Sequence, residues 1–311
     1  MSAPNLQDFL QFPVEILCPR CQKEQLFMEG NQIRCPRCEA TFGFEDRIAD
    51  LIVGERFPDQ IQEDELLYED ECIRDATTNY WLPTFLRHAP RGNKPLQVLS
   101  LGCGTGIDID LLTDEGFSTM GIDNGNRTRL WTLRKYPNRL LLANGLHMPF
   151  ADNTFDLIYC GCVFPHIGVE GDSYKVTDHY LEERQLLANE MVRVTKPGGQ
   201  LFMASPNRLF PLDIFHGRTQ GNHIPRCNVS MAPVLLSTGD YRKLFLKAGC
   251  DSVNALPSKG YWGFLRSGRT LKGRLVSLPV RTLFSMTSAI KVLHGSFFNP
   301  WIVVHIRMSR Q

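Results

Sequence analysis

From Leu96 onward, the chain alternates short apolar runs with amphipathic stretches. The runs at 97–101 and 118–122 have the length and composition of buried strands, and the segment 107–115 between them has the period of a helix. Further runs predict strands at 155–159, 200–204 and 301–308. Strands that alternate with helices are typical of a doubly wound sheet with helices on both faces. We therefore predict an α/β fold with a mostly parallel sheet whose last strand is antiparallel.

Two Cys-x-x-Cys pairs stand near the start of the chain, separated by thirteen residues. Each pair forms a tight turn that directs two sulfurs to one centre, and four thiolates complete a tetrahedral structural zinc site. The segment 27–33, around Gly30, predicts a β-hairpin between the pairs. So small a module needs the metal for much of its folding energy. The predicted zinc ligands are Cys18, Cys21, Cys35 and Cys38. A rubredoxin-like iron site, a redox pair and free thiols are the alternatives.

Residues 14–55 resemble the small zinc-ribbon proteins that activate tRNA and protein methyltransferases. In that family an aromatic residue and a short acidic, hydrophobic tail follow the two cysteine pairs. Phe42 and the segment 45–53 hold those places here.

A glycine-rich turn, GCGTG at 102–106, follows the first strand predicted after Leu96. Its glycines let the backbone approach a ligand closely, and the next helix presents free amides and the positive end of its dipole. Asp123, at the end of the second strand, can accept hydrogen bonds from both hydroxyls of a ribose. The spacing differs from the G-x-G-x-x-G of dinucleotide sites, and the G-K-[ST] of a P-loop does not follow. The pattern therefore favours a nucleoside ligand other than a dinucleotide.

Four motifs, in the family's order across 96–205, together resemble class I S-adenosylmethionine-dependent methyltransferases. They are VLSLGCGTG at 98–106, GID at 121–123, ANGLHMPF at 143–150 and NEMVRVTKPGG at 189–199. The resemblance implies a Rossmann-like sheet of seven strands and S-adenosyl-L-methionine as the cofactor. The implied cofactor-binding residues are Ser100, Gly102, Cys103, Gly104, Thr105, Gly106, Asp123, Asn144, Gly145 and Cys160.

Two of these positions depart from the family. An acid is usual where Ser100 stands, near the methionine end of the cofactor, and serine keeps a hydrogen bond there but loses the charge. Asp is usual where Asn144 stands, and the Asn side-chain oxygen can still accept from the adenine amine.

Methyl transfer from a sulfonium needs chiefly alignment, and a base only where the acceptor must lose a proton. His166 follows the fourth strand, where many small-molecule methyltransferases of this type carry a His facing the methyl group. We therefore predict it as the catalytic residue. The loop after the fifth strand supplies the predicted substrate-binding residues Asn207, Asp213 and His216. The alternatives are a helix-capping or backbone-bonding role for His166 and hydrogen bonds within the loop for the others.

These motifs divide the chain into three parts. They are a zinc ribbon at 14–55, an acidic linker and lead-in helix at 56–92, and a methyltransferase domain at 93–311 with an insertion at about 258–298. Cys35→Ser should unfold the ribbon and leave cofactor binding largely in place. Six scattered cysteines, no visible secretory signal and no bilayer-length apolar run favour a cytoplasmic protein.

The net charge of +1 conceals an asymmetry between the two ends of the chain. Residues 1–75 hold 17 acidic and 7 basic side chains, whereas residues 252–311 hold 9 basic and no acidic ones. This asymmetry predicts that the two ends face each other or stay solvated; the alternative is a contact with nucleic acid or an anionic surface. The insertion combines aromatic and basic residues with an interrupted apolar pattern. It predicts either an extra packed helix or a lid that contacts a membrane peripherally.

The function predicted first is methyl transfer from S-adenosylmethionine to a small-molecule or lipid-like acceptor. The alternative prediction is an RNA methyltransferase, because rRNA guanine methyltransferases with zinc ribbons exist. The near-neutral net charge, the acidic ribbon and SPNR at 205–208, where N-P-P-Y would stand, disfavour nucleic acid. The third possible function is that of a non-catalytic binding protein that keeps the cofactor-binding fold.

Overall fold

One eleven-stranded sheet joins the N-terminal cysteine module to the α/β part of the chain. The computed structural model describes residues 4–57, 61–88, 92, 94–170, 175–217, 225–227 and 233–309, without the side chains of 126, 214–217 and 225–227. The strands of this sheet are β1 (Phe27–Glu29), β2 (Gln32–Arg34), β3 (Thr41–Glu45), β4 (Ile48–Asp50), β5 (Gln97–Leu101), β6 (Ser118–Asp123), β7 (Leu140–Leu142), β8 (Phe155–Gly161), β9 (Thr195–Pro206), β12 (Ser252–Leu256) and β13 (Trp301–Arg307). A separate hairpin pairs β10 (Leu212–Gly217) with β11 (Pro225–Cys227).

Seven strands form the α/β part, in the order β7-β6-β5-β8-β9-β13-β12. β5 pairs in parallel with β6 and β8, whereas β13 runs antiparallel between β9 and β12. The strands predicted from the apolar runs are confirmed, since mainly apolar runs of this length mark strands buried on both faces. The chain winds outward from β5 on one side and from β8 on the other. A ligand is expected at this switch point, outside the carboxyl ends of the strands.

The predicted number of seven strands is wrong for the whole sheet, which has eleven. The seven strands of the α/β part make up the larger part of it. β1 to β4 form an antiparallel meander, and β4 adds in parallel to β7 through the pairs Ala49–Leu141 and Asp50–Leu142. The amide of Leu51 then donates to the carbonyl of Leu142 at 2.8 Å. Sequence reasoning missed this junction because the three residues of β4 are too few to show a strand period.

The apolar core is continuous between the ribbon and the α/β part. Ile16 and Leu26 belong to the same cluster of buried side chains as Phe150. Ile16 pairs with Phe150 in a β-bridge, and the amide of Leu17 donates to the carbonyl of Pro149 at 2.9 Å. Burial against the larger part therefore helps to hold the ribbon, in addition to any metal.

The α-helices of the described structure are α1 (Leu6–Leu10), α2 (Glu63–Ala76), α3 (Leu82–His88), α4 (Ile107–Asp114), α5 (Tyr180–Val194), α6 (Thr238–Lys247), α7 (Leu265–Gly268) and α8 (Leu271–Ala289).

The lead-in segment forms one continuous helical rod on the sheet. A π-helical turn at Thr77–Trp81 links α2 to α3. The rings of Trp81 and Phe85 pack against those of Tyr159 and Phe202 of the sheet in tilted and edge-on contacts, with centroids 5.0 to 6.5 Å apart. This aromatic anchor fixes where the acidic first half of the rod lies.

The insertion between β12 and β13 is helical and packs partly on the lead-in rod. The Arg266 guanidinium lies 3.8 Å from the centroid of the Tyr68 ring, and Arg269 pairs with Glu71 at 2.5 Å. The acidic and basic ends of the chain thus meet at α7. Over the described part of the chain, none of the helices is both long enough and apolar enough to cross a membrane.

Candidate active site

The glycine-rich turn 102–106 bends around the carboxyl end of β5 and is tied to β6. The amides of Gly102 and Cys103 donate to the carbonyl of Ile122 at 2.8 and 3.1 Å. All three glycines of the turn have positive φ, between +54° and +75°, where a side chain would be strained. A Cβ added at Gly102 would also stand 2.4 Å from Cγ2 of Val163. Glycine is therefore required by both backbone conformation and space.

Asp123 ends β6 beside this turn. Its two carboxylate oxygens accept from the amides of Gly104 and Gly125, both at 2.8 Å. Burial raises the pKa of Asp123, and the backbone amides oppose that rise. Each oxygen keeps a further lone pair, so the carboxylate can also accept ribose hydroxyl protons.

The acidic helix α2 lies directly on the turn. The hydroxyl of Thr105 donates to Oδ1 of Asp70 at 2.7 Å, and the Arg134 guanidinium pairs with the same carboxylate. Nε of Arg134 donates to the carbonyl of Thr105 at 2.7 Å. The predicted lead-in helix is thus a wall of the candidate cofactor cleft, and its acids were not among the predicted site residues.

Glu69 extends this acidic wall above Gly104. A Cβ at Gly104 would lie 3.3 Å from Oε1 of Glu69, and Nε of Arg127 donates to both Glu69 oxygens at 2.6 and 2.7 Å. Burial, with Asp123 and Asp70 nearby, raises the pKa of Glu69 to about 8. The Arg127 guanidinium favours the ionised form and opposes this rise. The cleft around the turn is therefore rich in carboxyl groups.

A buried carboxylate lies behind Ser100, where the family usually has its acid. The hydroxyls of Ser100 and Tyr159 donate to Oδ2 of Asp108 at 2.6 and 2.5 Å, and the amide of Ile109 donates to Oδ1 at 2.9 Å. Burial raises the pKa of Asp108, and these hydrogen bonds lower it. Because Ser100 uses its proton on Asp108, its oxygen is left as a hydrogen-bond acceptor. Sequence reasoning missed Asp108, whose only signal is an acid in the first turn of the helix after the glycines.

Asn144 links the predicted adenine stretch to the ribbon. Its Oδ1 accepts from the amide of Leu146 at 3.0 Å, and its Nδ2 donates to the carbonyl of Val53 at 3.2 Å. The second lone pair of Oδ1 remains suitable for an adenine amine. A Cβ at Gly145 would meet a Leu187 methyl at 3.0 Å, which explains a glycine in that place.

The segment 51–57, which we call the ribbon tail, continues across this edge of the cleft. The amide of Phe57 donates to the carbonyl of Asn124 at 3.1 Å, and Nδ2 of Asn124 donates to the carbonyl of Glu55 at 3.0 Å. The Phe57 ring meets the His166 ring edge-on, with centroids 5.4 Å apart. The ribbon tail therefore spans from the neighbour of Asp123 to the predicted catalytic His166.

Two predicted cofactor-binding cysteines have packed side chains. The thiol of Cys160 donates to the sulfur of Met203 at 3.1 Å inside the sheet, and burial raises its pKa. The Cys103 sulfur would stand 2.9 Å from a Cβ at Gly121, and burial raises the pKa of this thiol too. Any contact of these residues with a cofactor would come from their backbone atoms.

The predicted substrate-binding residues lie at the end of β9 and on β10. Both amide hydrogens of Asn207 are used on the carbonyls of Ser296 and Asn299, each at 2.8 Å, which ties the end of β9 to the chain before β13. Asp213 is buried on β10. His216 lies on the same strand, with its side chain outside the described part of the structure.

The four paired cysteines converge in the ribbon. The sulfurs of Cys18 and Cys38 lie 3.7 Å apart, as do those of Cys21 and Cys35, and all four lie within 4.8 Å of one another. Four thiolates at the usual zinc–sulfur distance of about 2.3 Å stand about 3.8 Å apart in a tetrahedron. The cluster is therefore compatible with a zinc ribbon.

Part of the chain matches a known protein family, and about half of it is similar to known methyltransferases. The family described as "Methyltransferase domain" matches residues 99–203. A probable S-adenosylmethionine-dependent methyltransferase of Mycolicibacterium smegmatis is 27% identical over 158 residues, 46% of this chain and 54% of that protein. The demethylmenaquinone methyltransferase of Corynebacterium urealyticum is 34% identical over 109 residues, covering 35% and 40%. Mouse glycine N-methyltransferase is 27% identical over 177 residues, covering 50% and 56%. The chain thus spans about half the length of these relatives.

Two solved structures resemble the chain weakly. A complex of the Haloferax volcanii Trm112 methyltransferase activator with a methyltransferase contains a chain that matches at a TM-score of 0.47 and 14% identity, covering 80% of this chain and 96% of that one. Phosphoethanolamine N-methyltransferase 2 of Haemonchus contortus, bound to S-adenosyl-L-methionine, matches at 0.47 and 16% identity, covering 79% and 59%. The family match and the Rossmann-like strand order indicate that residues 99–203 form a methyltransferase domain, which is similar in sequence to S-adenosylmethionine-dependent methyltransferases.

Proposed function

We propose that this chain transfers a methyl group from S-adenosyl-L-methionine to a small-molecule or lipid-like acceptor. The arrangement of Asp123 carries the proposal. A carboxylate ends β6, the neighbour of β5 next to the switch point of the sheet, and is held toward the glycine turn by two backbone amides. Such a group suits the two hydroxyls of a ribose. Relatives named for demethylmenaquinone and glycine support an acceptor that is a small molecule rather than a nucleic acid.

When bound, the cofactor supplies a methyl group on a cationic sulfonium. The acidic groups around the turn favour this positive ligand over an anionic one such as a dinucleotide. In addition, the Ser100 oxygen, polarised by Asp108, can accept from an ammonium group. The charge lost at position 100 is thereby supplied from the next helix. This arrangement weakens the case for a non-catalytic binding protein.

Asp123→Ala should weaken S-adenosylmethionine binding by roughly 1–3 kcal/mol, because ribose hydroxyls would lose a charged acceptor. Isothermal titration calorimetry with the purified protein measures this directly. Asp114→Ala, at an exposed position on α4, is the matched control and should bind as the unchanged protein does. Equal affinity of the Asp123 variant would contradict the proposed ribose contact.

We propose His166 as the group that accepts a proton from the acceptor or orients it. Its ring lies against Phe57 at the edge of the cleft. His166→Ala should lower kcat by roughly a hundredfold, in the range typical of a lost general base, while the cofactor affinity stays within twofold. The measurement is turnover across a panel of small and quinone-like acceptors, with calorimetry in parallel. Full turnover in the variant would leave His166 a structural role.

We also propose that Cys18, Cys21, Cys35 and Cys38 bind one zinc ion per chain. The ion would have four protein ligands and no open position, so its role would be structural. Elemental analysis of the purified protein tests the stoichiometry. A metal-free protein that takes up no added zinc would reject it.

A further inference from the structure

Helix α8 of the insertion presents an apolar row to the outside. Leu271, Leu275, Leu278 and Met286 are 76%, 64%, 56% and 59% exposed. Their spacing of three, four and eight residues places them on one face of the helix. The opposite face packs inward with Ser277, Phe284 and Thr287. A surface helix of a soluble domain normally buries its large apolar side chains, whereas α8 buries Phe284 and leaves these four outside.

Basic side chains border this row without acidic partners. Lys272, Arg274 and Arg281 lie on α8, and the chain from 252 to 311 contains no Asp or Glu. Among the residues that the structure describes, none of these three forms an ion pair. The Arg281 guanidinium instead lies 5.0 Å from the centroid of the Phe264 ring. The exposed side of α8 is thus both apolar and cationic.

A cavity of about 320 Å³ opens beside α8 and has a lining suited to an anion. Arg87 and Lys259 supply positive charge, and Ser285 and Ser288 supply hydroxyl donors from α8 itself. The described part of its lining contains no acidic side chain. A phosphate group could be received here while an apolar chain lies along the row.

The insertion begins and ends at the edge of the sheet that carries the candidate active site. Leu256 pairs with Val303, and Trp301 pairs with Pro206 at the carboxyl end of β9. Tyr261, near the start of the insertion, packs against the end of β8, since a Cβ at Gly161 would lie 2.8 Å from its hydroxyl. The insertion that carries α8 is therefore joined to the sheet at the same edge as the candidate active site.

We propose that α8 docks this protein on the surface of an anionic phospholipid bilayer. The apolar row enters the boundary between headgroups and acyl chains, and the flanking cations meet anionic headgroups. A second copy of the chain fits this surface less well, because a symmetric contact would oppose cation to cation with no acid between them. Docking as such is independent of methyl transfer. Only the corollary that a lipid-like acceptor enters from the bilayer rests on the proposed function.

Flotation with full-length protein tests docking without cofactor or turnover. The vesicles are phosphatidylcholine alone and phosphatidylcholine with phosphatidylglycerol. We expect flotation with the anionic vesicles, weakened by added salt. The triple variant L275Q/L278Q/M286Q should lower the partition coefficient about tenfold or more, because binding scales with buried apolar area. K259E/K272E should also weaken flotation. The control L181Q/L246Q changes exposed leucines on α5 and α6 and should float unchanged.

Thermal melting and light scattering complete the test. The triple variant should melt at or above the temperature of the unchanged protein, because the replaced side chains are exposed. The proposal is overturned if the unchanged protein stays in the dense fraction with anionic vesicles at low salt, or if the triple variant floats equally well. A dimer that dissociates in the triple variant would also overturn it, since the row would then bind a second copy.

Discussion

Cys35→Ser should abolish binding of the proposed zinc ion and lower the affinity for S-adenosylmethionine at least tenfold. Four-cysteine zinc sites contribute about 10–16 kcal/mol of apparent binding energy to small folds, and three ligands hold the metal far less well. Loss of the metal loosens β4 and the ribbon tail behind it. That tail bonds to Asn124, next to Asp123, and to Asn144 in the predicted adenine stretch. These contacts lead us to expect a loss of affinity, where the sequence alone led to the expectation that cofactor binding would survive.

Elemental analysis and calorimetry on the same preparation check this coupling. Cys72→Ser replaces a half-buried cysteine of α2 that lies outside the four-cysteine cluster, and it should keep both zinc and affinity. Unchanged affinity in a zinc-free Cys35 variant would show that the ribbon and the cofactor cleft are energetically independent.

Asp108→Ala should destabilise the fold by about 3 kcal/mol or more. The substitution leaves the buried hydroxyls of Ser100 and Tyr159 and the amide of Ile109 without their acceptor, and each such loss costs about 1–3 kcal/mol when no water replaces it. Urea unfolding measures the change. Asp108→Asn, which keeps one acceptor oxygen and the shape, should cost clearly less. If the alanine variant is as stable as the asparagine variant, the carboxylate does not organise this part of the core.

The pH dependence of the same variants gives a second check. Burial raises the pKa of Asp108 in the folded protein above its ordinary value of 3.8. Its contribution to stability is therefore complete below that ordinary value and declines as the pH rises through the raised one. Asparagine does not titrate. The stability of the unchanged protein relative to Asp108→Asn should thus improve on acidification within this window.

Much of this protein could be predicted from the sequence because the signals are local. The mainly apolar runs at 97–101 and 118–122 predicted two central strands, since a strand buried on both faces carries few polar side chains. The positive φ of all three glycines in the turn fits the close backbone approach predicted there. The cysteine spacing predicted a four-sulfur cluster, because short loops fix the geometry of each pair. The roles of individual residues in binding and catalysis stay predictions.

The tertiary structure decided what depends on contacts between distant segments. The parallel pairing of β4 with β7 joins residues some ninety positions apart, and three residues carry too little pattern to reveal it. The bond from Ser100 to Asp108 depends on how α4 turns its first residues under the glycine turn. The outward face of α8 could not be read from its sequence either. An amphipathic pattern indicates that a helix has an apolar and a polar face, but only the packing of the whole fold decides which of the two is buried.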